Sequence, residues 1–248
     1  MFPIRDHNPS ERIPFVTFAL LAANIAIFVV GLTVFNEPRD EAKLLWHYAL
    51  IPARLMEGEN ALALITSQFL HGGVMHLLGN MLFLWIFGDN LEDEMGHLGF
   101  IVFYLACGVA AGLAQVAADP SSQIPMVGAS GAIAGVMGGY LLLFPKARVD
   151  VLLFIVIFVR IFSVPAWIML GIWFAFQIGA GLGADTSQGG VAYWAHAGGF
   201  VLGMILTIPV FVRRGAQSFW RRTSGRPPHP EARYKLTKSH VPIVRRRK

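Results

Sequence analysis

Ser130 lies in the run Gly128-Ala129-Ser130-Gly131, and His196 lies in Ala195-His196-Ala197-Gly198-Gly199. Each run opens an apolar segment long enough to cross a bilayer. A hydroxyl and an imidazole are costly inside lipid unless they face protein or water, so such groups point to a functional site. Together they are the two parts of a nucleophile–base pair, in which the imidazole takes the hydroxyl proton as the oxygen attacks an acyl carbon. The chemistry expected is hydrolysis of a peptide bond within the plane of the membrane. Ser130 by itself reads more simply as a helix N-cap, since serine is among the preferred caps. The same place at a helix start would offer unpaired backbone N–H groups and a positive dipole end to a forming oxyanion.

A second group is His71-Gly72-Gly73-Val74-Met75-His76-Leu77-Leu78-Gly79-Asn80. His76 and Asn80 are four apart and project from one helical face. The Asn80 amide suits an oxyanion donor. Histidines at i and i+4 can instead hold zinc, but the i+4 partner of His76 is Asn80 and no carboxylate lies between them. Polar glue between helices is the plainer reading of each residue alone.

The elements that must bring these groups together carry small residues. Gly131, Gly135 and Gly139 recur at four-residue spacing, and Gly199 and Gly203 share a face with His196. Small residues on one face let two membrane helices approach closely. If the two ridges meet, Ser130 and His196 meet at one end of the contact. Plain helix packing would use the same glycines. Asp119 and Asp185 sit in loops outside the spans, so the economical reading is a Ser–His dyad without a carboxylate.

The chain is 55% hydrophobic and 14% charged, against roughly 25% charged in soluble domains. It reads as an all-α polytopic membrane protein. Apolar stretches at 13–35, 69–88, 98–118, 128–145, 163–183 and 192–212 give six spans. The first is too long for a signal-peptide core and lacks a small-residue cleavage site after it. Residues 36–68 mix charges with Trp46, Tyr48, Leu55 and Met56, which suggests short interfacial helices. The stretch 149–162 is apolar and β-branched but contains Arg160, with Pro165 soon after. It reads as an extended or interfacial piece, with a seventh helix as the alternative.

The division expected is a segment 1–12, a helical domain 13–212 and a basic tail 213–248. That tail holds twelve of the 20 lysines and arginines, ending in Arg245-Arg246-Arg247-Lys248. Lys146 and Arg148 fall on the same side as the tail, so the positive-inside rule puts both termini in the cytoplasm. The connection 89–96 is acidic and weighs little in that rule. Ser130 and His196 then share a depth below the extracytoplasmic surface. The single cysteine, Cys107, permits neither an intramolecular disulfide nor a cysteine metal cluster. A nucleic-acid partner is not expected, because the basic run follows a spanning helix.

The three motifs, His71-x4-His76-x3-Asn80, Gly128-Ala129-Ser130-Gly131 and Ala195-His196-x2-Gly199-x3-Gly203, together resemble the rhomboid family of intramembrane serine proteases. Their order and their places on the second, fourth and sixth spans make the match specific. The resemblance implies the six-helix rhomboid fold, a Ser130 nucleophile, a His196 base and an oxyanion hole from the Ser130 N–H, His76 and Asn80. His71, Gly128, Gly131, Gly135, Gly199 and Gly203 would support them. Glu92, between Gly88 and Gly96, resembles a polar position of the family. Two places depart: Leu62-Ala63 stands where many members carry Trp-Arg, and Ala134 stands where some carry an aromatic under the histidine. Transmembrane proteins would be the substrates, the lipid bilayer the surroundings, and no metal or organic cofactor is implied. A rhomboid-like protein that binds membrane clients without cutting them is the rival reading. A transporter is disfavoured by few intramembrane carboxylates and no visible repeat.

Overall fold

The computed structural model describes residues 2–34, 37–155, 158–183 and 190–232. Asp185 and the closing run 245–248 lie outside them. In chain order the elements are β1 (Phe2–Asp6), α1 (Phe15–Val34), α2 (Pro38–Tyr48), α3 (Pro52–Met56) and α4 (Ala63–Thr66) with a 3-10 turn (Ser67–Phe69). Then come α5 (Val74–Met95), α6 (His97–Ala118), α7 (Ser130–Leu143), β2 (Arg148–Ile155), β3 (Phe158–Pro165), α8 (Ala166–Gly183), α9 (Tyr193–Arg213) and α10 (Gln217–Thr223). Among the described residues, α1, α5, α6, α8 and α9 are long and apolar enough to cross a membrane. With this composition, the chain is an integral membrane protein.

The fourth expected span is shorter than read. α7 has 14 residues, about 21 Å at 1.5 Å per residue, against roughly 30 Å of hydrocarbon. It is also the axis of the bundle, buried at every position from Gly131 to Tyr140, with α5, α6, α8 and α9 packed around it. A helix sheathed in protein does not have to match the lipid thickness. Between helices in lipid there is no hydrophobic driving force, so close van der Waals packing of small residues holds the bundle. A Cβ at Gly199 would overlap the Gly131 carbonyl oxygen, one at Gly203 the Gly135 carbonyl oxygen, and one at Gly138 the Phe200 carbonyl oxygen. Gly131 and Gly135 turn their own bare faces to Ala111 and Cys107 of α6. The small-residue contact therefore joins three helices rather than two.

The second span is displaced. Its helix starts only after Gly72-Gly73 and runs on through the acidic residues to Met95, so 89–95 is helix where a loop over 89–96 was expected. The reason is that its charges are satisfied. Glu92, 2% exposed, accepts from the Val16 N–H at 2.8 Å and from the Thr17 N–H and hydroxyl at 2.7 Å. It thereby caps the first turn of α1, whose N–H groups have no intrahelical partners. Gly96, at φ +74°, ends α5 and opens α6, a left-handed turn that glycine adopts without strain.

The all-α expectation is corrected by a three-stranded antiparallel sheet in the order β1-β2-β3. Over the described residues 149–155 and 158–162 the extended reading holds, and the seventh helix does not. What periodicity did not reveal is that the first residues of the chain supply the third strand. The buried Asp150 explains the pairing, since it gathers Arg5 at 2.7 Å and His7 at 2.9 Å from the amino-terminal segment and Ser163 from β3. The described part of that connection, from residue 37 on, does form short helices. They are tied down by the Leu50–Met126 bridge and by Arg54 stacked over the Trp46 ring. Ala63, where the Trp-Arg pair is missing, is buried at the start of α4.

Candidate active site

α7 and α9 both begin at one end of the bundle, and their first turns carry Ser130 and His196. The N-cap of α7 is Ala129, with no side-chain cap. Ser130 is thus the first helical residue and its hydroxyl is not used as a cap. Instead Ser130 Oγ lies 2.7 Å from His196 Nε2. The glycine contact sets this distance, because it brings the two helix backbones together immediately beyond the pair. The imidazole is held from its other side by α8: His196 Nδ1 is 2.8 Å from Gln177 Oε1. The Trp173 ring lies 5.8 Å from the imidazole, centroid to centroid, tilted by 33°. The ring support that Ala134 cannot provide therefore comes from a different helix.

His76 and Asn80 line the same cavity of about 550 Å³ as Ser130 and His196. The Gly72 N–H approaches His76 Nδ1 at 3.4 Å, which assigns the ring proton to Nε2 and leaves that atom a donor. A Cβ on Gly128 would stand 2.7 Å from His76 Nε2, and Gly128 holds φ +129°. Only glycine lets the loop pass over the imidazole there. Asn80 is 6% exposed, and its Nδ2 has no hydrogen-bond partner among the described residues. A buried amide N–H2 without a partner costs free energy, and here it borders a cavity that a ligand could enter. His71 lies outside this set: its ring meets His76 edge-on at 5.2 Å and it does not line the cavity.

The arrangement holds a hydroxyl beside an imidazole acceptor, with two side-chain donors and a helix N-terminus around one cavity. Among the described residues no carboxylate lines it. The matched family model is the Rhomboid domain, over residues 58–213. The chain belongs to the rhomboid family. Rhomboid protein 1, mitochondrial, of Saccharomyces cerevisiae is 32% identical over 77% of this chain and 51% of its own length. RHOMBOID-like protein 4 of Arabidopsis thaliana is 28% identical over 81% of this chain and 53% of its own. Rhomboid protease GluP of Bacillus subtilis is 40% identical over 32% of this chain and 15% of its own. This rhomboid spans about half the length of the first two relatives.

Sequence reasoning missed Gln177 and Trp173. One signal for Gln177 was present, a lone amide in the otherwise apolar run from Ala166 to Gly183. A search for a third triad member confined to aspartates passes over it. Gly138 was missed as well, because the four-residue ridge pointed to Gly139, whose bare face meets Thr207 and Leu91.

Proposed function

We propose that this rhomboid is an intramembrane serine endopeptidase that cleaves transmembrane segments of membrane proteins near the extracytoplasmic face. The observation that carries the reading is the 2.7 Å approach of Ser130 Oγ to His196 Nε2 inside a cavity bordered by the unpartnered Asn80 Nδ2. His196 takes the Ser130 proton as the oxygen attacks the scissile carbonyl, then delivers it to the leaving amine. The Ser130 N–H, His76 Nε2 and Asn80 Nδ2 receive the oxyanion. Water enters through the same cavity to release the acyl enzyme. Because helical carbonyls are already hydrogen-bonded, the cleaved segment must unwind locally, which favours small or helix-weakening residues there. In this reading α7 is the fourth of six crossings, residues 13–212 are the catalytic domain, and both termini are cytoplasmic. The segment 1–12 and the basic tail 213–248 then lie at the cytoplasmic face.

The test is labelling of the purified protein by a fluorophosphonate probe, together with cleavage of a model transmembrane substrate. Both are expected in the wild type and both disappear in Ser130→Ala with melting unchanged. Undiminished cleavage by Ser130→Ala would remove the mechanism. Wild-type protein that is well folded but neither labels nor cleaves would favour the client-binding reading.

A further inference from the structure

We infer that Gln177 is the third member of the catalytic constellation, a positioning residue whose side-chain carbonyl fixes the His196 tautomer that Ser130 needs. The inference rests on the proposed dyad. For His196 to act as a base, Nε2 must carry a lone pair toward the Ser130 hydroxyl. A neutral imidazole has one N–H, which must then be on Nδ1. The group 2.8 Å from Nδ1 is Gln177 Oε1, an acceptor with no proton to give. The chain of donors therefore runs Ser130 O–H to His196 Nε2, and His196 Nδ1–H to Gln177 Oε1. Each link requires the one before it.

The position suits this task. Gln177 sits on the face of α8 turned to α9, one helical turn beyond Trp173, which packs on the same imidazole. One helix thus supplies both an orienting hydrogen bond and a flat apolar support. A free amide in a run of Phe, Ile, Ala and Gly would be costly in lipid, and its engagement with His196 removes that cost. The acceptor is also neutral. A carboxylate there would be a buried charge whenever the imidazole is unprotonated, with no cation beside it among the cavity residues. An amide holds the ring without that penalty, while giving no ion pair to the imidazolium that forms during attack.

The experiment uses the full chain in detergent or bicelles, with three variants and two independent readouts. Gln177→Met keeps the length and bulk of the side chain and removes the acceptor. Its rate should fall by about 10- to 100-fold, the loss typical when the hydrogen-bond partner that orients a metal-ligating histidine is removed, with kcat changed and KM nearly constant. Gln177→Glu restores an acceptor and should regain activity at neutral to alkaline pH. The acid limb of its pH profile should move upward, because a carboxylate beside the ring favours the protonated form. Gln177→Ala should resemble Gln177→Met if the hydrogen bond, and not bulk, is what matters. The second readout is the nitrogen-15 spectrum of the His196 ring, assigned with His196→Ala, which needs no turnover. Wild type should show the Nδ1–H form, and Gln177→Met a mixture shifted toward Nε2–H. A wild-type ring protonated on Nε2 would overturn the assignment, because the amide would then be donating. Full activity in Gln177→Met would overturn it too. A wild type that shows the Nδ1–H form but no cleavage would sink the protease reading while keeping the hydrogen bond.

Discussion

Where α7 and α9 end, buried charge holds elements together; where they begin, buried polar groups are neutral and incompletely paired. At the first end Glu92 takes three donors from the start of α1, Asp150 ties β1 to β2 and β3, and Arg214 meets Glu94 at 2.6 Å. At the other, the cavity is bordered by Ser130, His196, His76 and Asn80, with no carboxylate among the described residues. A buried carboxylate with full hydrogen bonding locks a geometry, and losing its partners is expensive. A neutral donor left without a partner costs less to keep and is free to bind charge that develops later. The contrast separates groups that hold the fold from groups that, in the proposed reading, await a substrate.

The largest expected effect tests the open end. Asn80→Ala should reduce the cleavage rate by roughly 10- to 1,000-fold while melting stays level or rises, because the amide removed had no partner to lose. A fall in melting with rate per folded molecule intact would make Asn80 a structural residue. Gly199 comes next, since it sets the dyad distance without chemistry of its own. A Cβ there already overlaps the Gly131 carbonyl, so even Gly199→Ala must push α7 from α9. A shift near 1 Å at reacting atoms costs on the order of 100-fold in rate, and probe labelling of Ser130 should fall in step. Gly199→Val should be worse, and full activity in either variant would mean that the helices meet elsewhere.

The charged end should answer in the opposite currency. Glu92→Gln should cost about 1.5–3 kcal/mol, the worth of a hydrogen bond to a charged group, and leave the rate per folded molecule near wild type. Loss of rate without loss of melting would break the division drawn here. The smallest effect is in the pH dependence of melting, where two neighbouring aspartates act with opposite signs. Burial pushes the Asp150 carboxyl up, but hydrogen bonds from Ser163, His7 and Arg5 outweigh it and hold the group below its ordinary value. Its contribution is present above the unfolded value of about 3.9 and is lost as pH falls through the lower folded value. Asp6, hydrogen-bonded by Tyr140 at 2.8 Å, is held well above its ordinary value by burial and by the charge of Asp89. Its contribution is present at low pH and lost as pH rises from about 3.9 toward the folded value. Melting curves at pH 5 and pH 8 should therefore show Asp150→Asn weakened at both, and Asp6→Asn gaining relative to wild type at pH 8. Equal behaviour of the two variants would show that their surroundings do not differ as described.

The sequence by itself determined the membrane class, four of the five helices long enough to span to within about three residues, and that Ser130 and His196 meet. Each follows from a local rule: apolar runs must span, and polar residues inside them must have a reason. It misjudged 89–96 and overlooked the strand at Phe2–Asp6, because charge and composition mark a loop unless a distant partner satisfies them. Those partners, the start of α1 for Glu92 and the amino-terminal segment for Asp150, lie 75 and 145 residues away in the chain. Tertiary structure alone decided what supports His196. α8 carries no motif, and only its packing against α9 puts Gln177 and Trp173 on the imidazole. A local pattern can place a hydroxyl and an imidazole on their helices. The second hydrogen bond of the base depends on how a third helix packs beside them.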